Sequence, residues 1–215
     1  MTGRKVPVEY GPRRAGDAIA LWANPGHARR TLGWEAKYTD PEPIIRTAWN
    51  WFEKHPDGSF KPPADYPRRS IATVTTHDLP TLRGYWTASD IELRRRLSLY
   101  PNDATCEFVR EERVRDRTAL LAALASQGLA HGSGGADAYG DELADAIHVY
   151  LARTASALVV LQAEDLAGMA DPVNVPGTSD EHANWQRKMT VDLADVFRSD
   201  RIRQLFARVN AERQR

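Results

Sequence analysis

The chain has almost no cysteine, which excludes several kinds of protein at once. Among its 215 residues the single cysteine is Cys106, so no disulfide can form within the chain and no metal site can be built from several thiolates. This usage is typical of a reducing compartment, and we expect a cytoplasmic protein. Cys106 lies in a polar, charged stretch, which leaves both an inert and a reactive thiol open.

An excess of charge of one sign and a long apolar run are also absent. Lysine and arginine together number 29, as do aspartate and glutamate. Proteins that bind nucleic acid or anionic membranes usually carry a basic excess, so we expect neither partner. The first residues, MTGRKVPVEYGPRR, contain no signal-peptide core, and no segment reaches the roughly 18 apolar residues that span a bilayer.

The pattern that is present predicts a helix-rich α/β fold with few strands. The predicted strands cover residues 6–10, 71–75 and 158–162. The predicted helices cover residues 24–32, 40–55, 88–98, 103–127, 141–156 and 191–212, the last with an interruption at Ser199-Asp200. A glycine-rich loop is predicted at 126–140, and a proline-rich connector at 59–69 is the best candidate domain boundary.

The sharpest chemical feature is His77-Asp78, which directly follows the predicted strand 71–75. Strand ends project side chains into the active-site face of α/β barrels. A carboxylate there can stabilise an oxocarbenium-like transition state, while the histidine bonds a sugar hydroxyl. The alternative is that Asp78 caps the following turn or helix and His77 is an ordinary loop residue. Spacing alone favours this alternative.

The stretch VTTHDLPTLRGYW, residues 74–86, resembles the loop after the seventh barrel strand in 4-α-glucanotransferases of the amylomaltase type. Further similar stretches follow in order: SLYP (98–101), QAEDL (162–166), DPVNVPGT (171–178) and NWQRK (184–188). The resemblance covers about residues 60 to 215. It implies an incomplete (β/α)₈ TIM barrel consisting of the last two strands and the C-terminal helices, preceded by a small α+β tail.

The same resemblance implies transfer of α-1,4-glucan segments between maltodextrins by a retaining mechanism, with no cofactor and no metal. Asp78 would be the carboxylate that stabilises the transition state, and His77 would bind hydroxyls of the reacting glucose. Asn174, Asn184 and Trp185 match positions near the substrate cleft. Packing within the loop is an equally open explanation for these three residues.

Two carboxylates of such a site are not accounted for. A retaining transglycosylase needs a nucleophilic carboxylate and an acid/base carboxylic acid, which the resemblance places upstream of the matched stretch. Glu164 and Asp165 are a poor replacement, because adjacent residues on a strand point to opposite faces. We therefore expect little or no activity from this polypeptide alone.

Residues 1–58 resemble a different enzyme, the C-terminal end of UDP-glucose 4-epimerase. The similar stretches are TGRKVPVEYGPRRAGD (2–17), RRTLGW (29–34), IIRTAWNW (44–51) and HPDG (55–58). The resemblance implies that Arg14 pairs with the UDP diphosphate and that Asp17 binds on the nucleotide side, whereas a surface turn is the plain alternative. We expect no NAD binding, because a Gly-rich dinucleotide fingerprint and a Tyr-x-x-x-Lys pair are absent.

The predicted organisation is thus a fusion of an epimerase-like tail (1–58), a proline-rich junction (59–69) and the C-terminal part of a glucanotransferase barrel (70–215). Three functions stay open at this point. The chain is a truncated glucanotransferase, a non-enzymatic remnant with weak maltodextrin binding, or an epimerase fragment that binds UDP.

Overall fold

The computed structural model describes residue 20 and residues 22–54, 58–129 and 138–214. The chain divides into two compact units, Met1–Asp57 and Gly58–Arg215, and each is described by itself. The strand predicted at residues 6–10 lies outside the described residues.

The described part of the first unit consists of two helices, α1 (Gly26–Leu32) and α2 (Pro41–Lys54). Gly33 ends α1 in the left-handed region, with φ of 62°, and its N–H donates to the Arg29 carbonyl at 3.1 Å. Asp40 precedes α2, and its carboxylate accepts a hydrogen bond from the Glu42 N–H at 2.9 Å. The sequence pattern predicted both the end of α1 at Gly33 and the start of α2 at Asp40.

The second unit is helix-rich with two short strands in its described part, so the helix-rich α/β class is confirmed. A turn of 3₁₀ helix covers Pro63–Asp65. The strands are β1 (Ile71–Thr73) and β2 (Leu158–Val160). The helices are α3 (Leu82–Trp86), α4 (Ser89–Arg96), α5 (Asp103–Ser126), α6 (Asp141–Ala152), α7 (Ala163–Leu166), α8 (Leu193–Arg198) and α9 (Asp200–Arg213).

The two strands pair in parallel, with Ile71 opposite Leu158 and Thr73 opposite Val160. A parallel pair needs a long crossover, which α3 to α6 provide. Each strand is two residues shorter than predicted. Beyond β1, the Thr75 carbonyl accepts from the side chains of Thr73 at 2.8 Å and Gln162 at 2.5 Å, so side-chain bonds replace the ladder there.

The core is built around α6, in which nearly every residue is buried. Leu143, Ile147 and Tyr150 of this helix belong to one hydrophobic cluster with Leu124 of α5 and Leu205 of α9. A helix that is apolar on most of its circumference is surrounded by other elements. The cluster therefore joins the helices before and after β2 into one body.

A buried ion pair ties α4 to α5. The Arg113 guanidinium donates to both carboxylate oxygens of Asp90, at 2.8 and 2.9 Å, and it also donates to the Tyr85 carbonyl. The forked geometry of arginine matches a carboxylate in this way. Asp90 and Arg113 thereby fix α4 and α5 beside the end of α3.

Some local predictions need correction, and another is confirmed. Two short helices, α3 and α7, stand where a loop and the end of a strand were predicted. Glu164 and Asp165 lie in α7 and not on a strand, so the opposite-faces reasoning about this pair was wrong. The predicted interruption near Ser199 is confirmed, because Ser199 separates α8 from α9 with φ of −59° and ψ of 131°.

Candidate active site

The loop between β1 and α3 is held at both ends by one carboxylate. Asp165 of α7 accepts a hydrogen bond from the Thr75 hydroxyl at 2.8 Å and another from the Leu82 N–H at 2.7 Å. Asp165 is almost completely buried. Thr75 precedes His77 and Asp78, and Leu82 opens α3 just after them, so Asp165 sets the span of this loop.

Two buried ionisable groups lie behind the loop. Burial raises the pKa of Asp165 above its ordinary value, although the bonds from Leu82 and Thr75 act in the opposite direction. Burial lowers the pKa of His148 of α6, whose Nδ1 donates to the Ala144 carbonyl at 2.7 Å. Asp165 therefore holds the loop from a buried position, and His148 is buried as well, so neither group lines an open surface.

Thr81 and Gly84 fix the start of α3. The Thr81 hydroxyl accepts from the Gly84 N–H at 3.0 Å and donates to the Ala170 carbonyl at 3.0 Å. Thr81 is therefore the N-cap of α3, and Asp78 is not, which removes the helix-capping explanation for Asp78. At Gly84 an added Cβ would lie 2.5 Å from the Ala170 carbonyl oxygen, so only glycine allows this approach.

Asp78 contacts two of the residues that the sequence pattern singled out. The Asn174 amide donates to Asp78 Oδ1 at 2.6 Å, and His77 Nε2 lies 3.3 Å from Asp78 Oδ2. The side chains of His77 and Asp78 are each more than half exposed. Both carboxylate oxygens are thus held in place, and the group is accessible from solvent.

Trp185 completes the group of exposed side chains. Its ring centroid lies 5.2 Å from that of His77, with the planes at 47°. Trp185 is 63% exposed and has φ of 62°, an unusual conformation for a bulky residue. The backbone N–H of Trp185 donates to the Val173 carbonyl at 3.0 Å, which anchors this conformation to the 171–178 loop. We call His77, Asp78, Asn174 and Trp185 the Asp78 cluster.

Asn184 occupies a different position from the other predicted binding residues. Its Oδ1 accepts from the Val175 N–H at 2.9 Å, and its Nδ2 donates to the Thr178 hydroxyl at 2.8 Å. These bonds close the loop that carries Asn174. Asn184 therefore supports the Asp78 cluster through the backbone, and its role in substrate binding stays a prediction.

Some expectations fall on other parts of the molecule. Arg14 and Asp17, the residues proposed to bind UDP, lie outside the described residues. Within the described ranges, no group of three or more metal-ligating side chains is found. In the same ranges no helix has the length and apolar character to cross a membrane. Cys106 is buried in α5.

The comparisons with known proteins bear directly on this geometry. Residues 39–194 match the family model described as 4-alpha-glucanotransferase. The chain belongs to this glucanotransferase family. This chain is 35% identical over 161 residues to the 4-alpha-glucanotransferase of Haemophilus influenzae. The alignment covers 73% of this chain and 23% of that relative.

Two further matches in the glucanotransferase family agree with this assignment. The 4-alpha-glucanotransferase of Mycobacterium tuberculosis is 32% identical over 188 residues, covering 83% of this chain and 25% of that protein. The crystal structure of amylomaltase from Corynebacterium glutamicum superposes with a TM-score of 0.59 at 27% identity, over 72% of this chain and 23% of that one. The chain thus spans about a quarter of the length of the glucanotransferases it matches.

A shorter match joins the chain to a second class of enzyme. The UDP-glucose 4-epimerase of Lacticaseibacillus casei is 52% identical over 58 residues, which is 27% of this chain and 18% of that protein. The UDP-glucose 4-epimerase of Halalkalibacterium halodurans is 45% identical over the same number of residues. Both resemblances seen in the sequence are therefore confirmed, and the glucanotransferase part is the larger.

Proposed function

We propose that the Asp78 cluster binds a glucose unit of an α-1,4-glucan and forms one side of a 4-α-glucanotransferase active site. The observation that carries this proposal is the arrangement around Asp78, whose two oxygens meet Asn174 and His77 beside the exposed ring of Trp185. Family membership supplies the substrate class, a maltodextrin.

The chemistry of the cluster suits this role. An exposed indole offers a flat apolar face on which a pyranose ring can stack. A carboxylate held by two neighbours is pre-organised to stabilise the positive charge of an oxocarbenium-like transition state. His77 and Asn174 present hydrogen-bonding groups at the same place, where they would bind sugar hydroxyls.

We propose further that this polypeptide binds glucan without completing its transfer. Glycosyl transfer with retention needs a nucleophile and an acid/base group in addition to a stabilising carboxylate. The chain spans about a quarter of its glucanotransferase relatives, and its two described strands are a small part of an eight-stranded barrel. In this proposal the second unit is the end of such a barrel.

Titration with maltoheptaose, followed by tryptophan fluorescence, tests the binding. The expected result is a saturable change that Trp185→Phe abolishes and Asp78→Ala weakens. Trp34→Phe is the matched control, because Trp34 is also an exposed tryptophan and lies in the first unit. An unchanged signal in the wild type, or a full response in Trp185→Phe, would contradict the proposal.

A second candidate function is UDP binding by residues 1–58, favoured by the 52% identity to an epimerase. Arginine presents a fork of donors that suits a diphosphate, and Arg14 is the proposed partner. A ligand that binds the folded protein and not the unfolded chain raises the melting temperature of the protein. We expect UDP to raise the melting temperature of the wild type and not of Arg14→Ala; no shift in the wild type would remove this function.

A further inference from the structure

The loop that carries Asp78 is bonded to the segment that follows β2. The Gln162 side-chain amide donates to the Thr75 carbonyl at 2.5 Å, and the Thr81 hydroxyl donates to the Ala170 carbonyl at 3.0 Å. The partners in these two bonds are 87 and 89 positions apart in the sequence. The segment after β2 therefore contacts the chain both before and after Asp78.

Asp165 stands between these two contacts and bonds to both ends of the loop. One oxygen of its carboxylate accepts from the Thr75 hydroxyl at 2.8 Å, and the other accepts from the Leu82 N–H at 2.7 Å. A carboxylate bonded through both oxygens is fixed in direction as well as in position. Its exposed fraction is only 1%, so Asp165 cannot itself touch a glucan at the surface.

The same segment supplies a partner for Asp78. Asn174 follows Asp165 by nine positions, and its side-chain amide donates to Asp78 Oδ1 at 2.6 Å. A hydrogen bond of this kind weakens steeply once the donor and acceptor separate beyond about 3.2 Å. A small shift of the Asp78 loop relative to the segment after β2 is therefore enough to break the contact between Asp78 and Asn174.

The side chains at the tip of the loop cannot keep this alignment by their own packing. Those of His77 and Asp78 are each more than half exposed. Their position follows from the loop backbone, which is anchored where Thr75 and Leu82 meet Asp165. Exposed binding groups are held in a productive geometry when buried neighbours support them through hydrogen bonds.

We infer that Asp165 is a positioning residue for glucan binding, which acts through Thr75 and Leu82 to hold the Asp78 carboxylate against Asn174. The inference rests on the proposed function, because the glucan is the ligand that Asp78 would contact. The apparent affinity of a site falls with the fraction of molecules in the competent arrangement. The loss of one hydrogen bond to a charged acceptor lowers such a fraction by about tenfold.

The competing role for Asp165 is purely structural. In that case its bonds contribute to the stability of the folded protein, and Asp78 keeps its place without them. The two roles differ in the folded, ligand-free protein, because only positioning predicts that loss of an Asp165 bond changes the contact between Asp78 and Asn174. The side-chain amide resonance of Asn174 in heteronuclear NMR spectra reports that contact directly.

Two substitutions at Thr75 test the inference without removing Asp165. Thr75→Val deletes the hydroxyl and keeps the branched shape of this buried side chain, whereas Thr75→Ser keeps the hydroxyl. We expect the Asn174 side-chain amide resonance to shift or broaden in Thr75→Val and in Asp165→Asn. In Thr75→Ser it should coincide with that of the wild type, which is rescue by the conservative variant.

Titration of the same proteins with maltoheptaose, followed by tryptophan fluorescence, measures the effect on binding. The dissociation constant should rise by about tenfold in Thr75→Val and stay unchanged in Thr75→Ser. Ile202→Val is the control for general destabilisation, since Ile202 is buried in α9 and its substitution removes one core methyl group. Its affinity and its Asn174 resonance should match those of the wild type. Urea denaturation checks that every variant is folded under the assay conditions.

The outcomes separate positioning from the proposed function. An Asn174 resonance that stays in place in Thr75→Val would overturn the inference. An unchanged affinity of Thr75→Val for a glucan that the wild type binds, or an equal loss of affinity in Ile202→Val, would also overturn it. A shifted resonance in Thr75→Val, together with a wild type that does not bind maltoheptaose, upholds the placement of Asp78 by Asp165 and overturns the proposed function.

Discussion

Asp165 holds the Asp78 loop from a buried position, through bonds to Thr75 and Leu82 that lie on either side of it. In Asp165→Asn an NH₂ group replaces one carboxylate oxygen. This donor faces either the Thr75 hydroxyl or the Leu82 N–H, where an acceptor is needed. A buried polar group left without its partner costs about 1–3 kcal/mol, so we expect the free energy of unfolding to fall by that amount.

Urea denaturation measures this effect, and Glu164→Gln provides the control. Glu164 is the neighbouring residue in α7 and is only partly buried, so its substitution should change stability by less than about 0.5 kcal/mol. Equal stabilities for Asp165→Asn and the wild type would contradict the anchoring role of this carboxylate.

His148 makes stability depend on pH with a predictable sign. Burial lowers its folded-state pKa below 6.5, with Asp165, Asp145 and Arg201 as the charged neighbours. The unfolded chain then binds the proton first, so the stabilising contribution is complete above pH 6.5 and is lost as the pH falls towards the folded-state pKa. Asp165 acts with the opposite sign, since its raised pKa costs stability as the pH rises above 3.8.

The variant His148→Gln isolates the histidine term. We expect the free energy of unfolding of the wild type, relative to this variant, to decrease between about pH 7.5 and about pH 5, because only the wild type gains a proton on unfolding there. Denaturant titrations at both pH values measure the difference. A difference that does not change with pH would show that His148 titrates normally in the folded protein.

At the scale of secondary-structure elements, the close approach of α3 to the segment after α7 depends on Gly84. An alanine Cβ would lie 2.5 Å from the Ala170 carbonyl oxygen and 3.0 Å from the Thr81 hydroxyl that caps the helix. We expect Gly84→Ala to destabilise the protein by about 1–3 kcal/mol, as overpacking usually does. Thermal or urea unfolding measures the change.

Gly140 is the matched glycine for that experiment. It lies before α6 with φ of −156°, and no atom stands within 4 Å of an added Cβ. Gly140 is the N-cap of α6, where alanine is less favourable than glycine, so substitution by alanine should cost no more than about 1 kcal/mol. Similar losses at positions 84 and 140 would mean that the contact with Ala170 does not constrain α3.

Long elements with local signals could be predicted from the sequence, and short ones could not. Gly33 and Asp40 bound α1 and α2 by their own chemistry, and α5 and α6 begin and end within a few residues of the predicted positions. In contrast, α3 and α7 contain five and four residues. Contacts with distant residues fix them, such as the bond from Thr81 to Ala170, and no local pattern records these contacts.

The candidate site divides in the same way. His77, Asp78, Asn174 and Trp185 were named from sequence stretches, and the fold brings them together although Asn174 is 96 positions from Asp78. Their roles in glucan binding stay predictions. The sequence analysis considered Asp165 only together with its neighbour Glu164. Its role in holding the loop was missed, because its partners Thr75 and Leu82 are 90 and 83 positions away. Asn184 was also named as a binding residue; its polar atoms bond within the loop, and its role in binding stays a prediction.

For the whole molecule, binding and catalysis should separate. The resemblance implies that the nucleophile and the acid/base carboxylate lie upstream of the matched stretch, and glycosyl transfer with retention needs both of them in addition to Asp78. Incubated with maltotriose, the purified chain should release no glucose and form no longer maltodextrin above the level of an Asp78→Asn sample. A clear ladder of products made by the wild type alone would contradict this separation.

The central claim is that the Asp78 cluster is a glucan-binding surface, and amide NMR spectra recorded during titration with maltoheptaose test it most directly. The account predicts saturable shifts concentrated at residues 77–78, 173–175 and 184–186, with little change along α5 or α9. Cellohexaose, with β-1,4 linkages, should cause much weaker shifts at the same concentration. Absence of any saturable shift, or shifts centred on residues remote from Asp78, would contradict the claim.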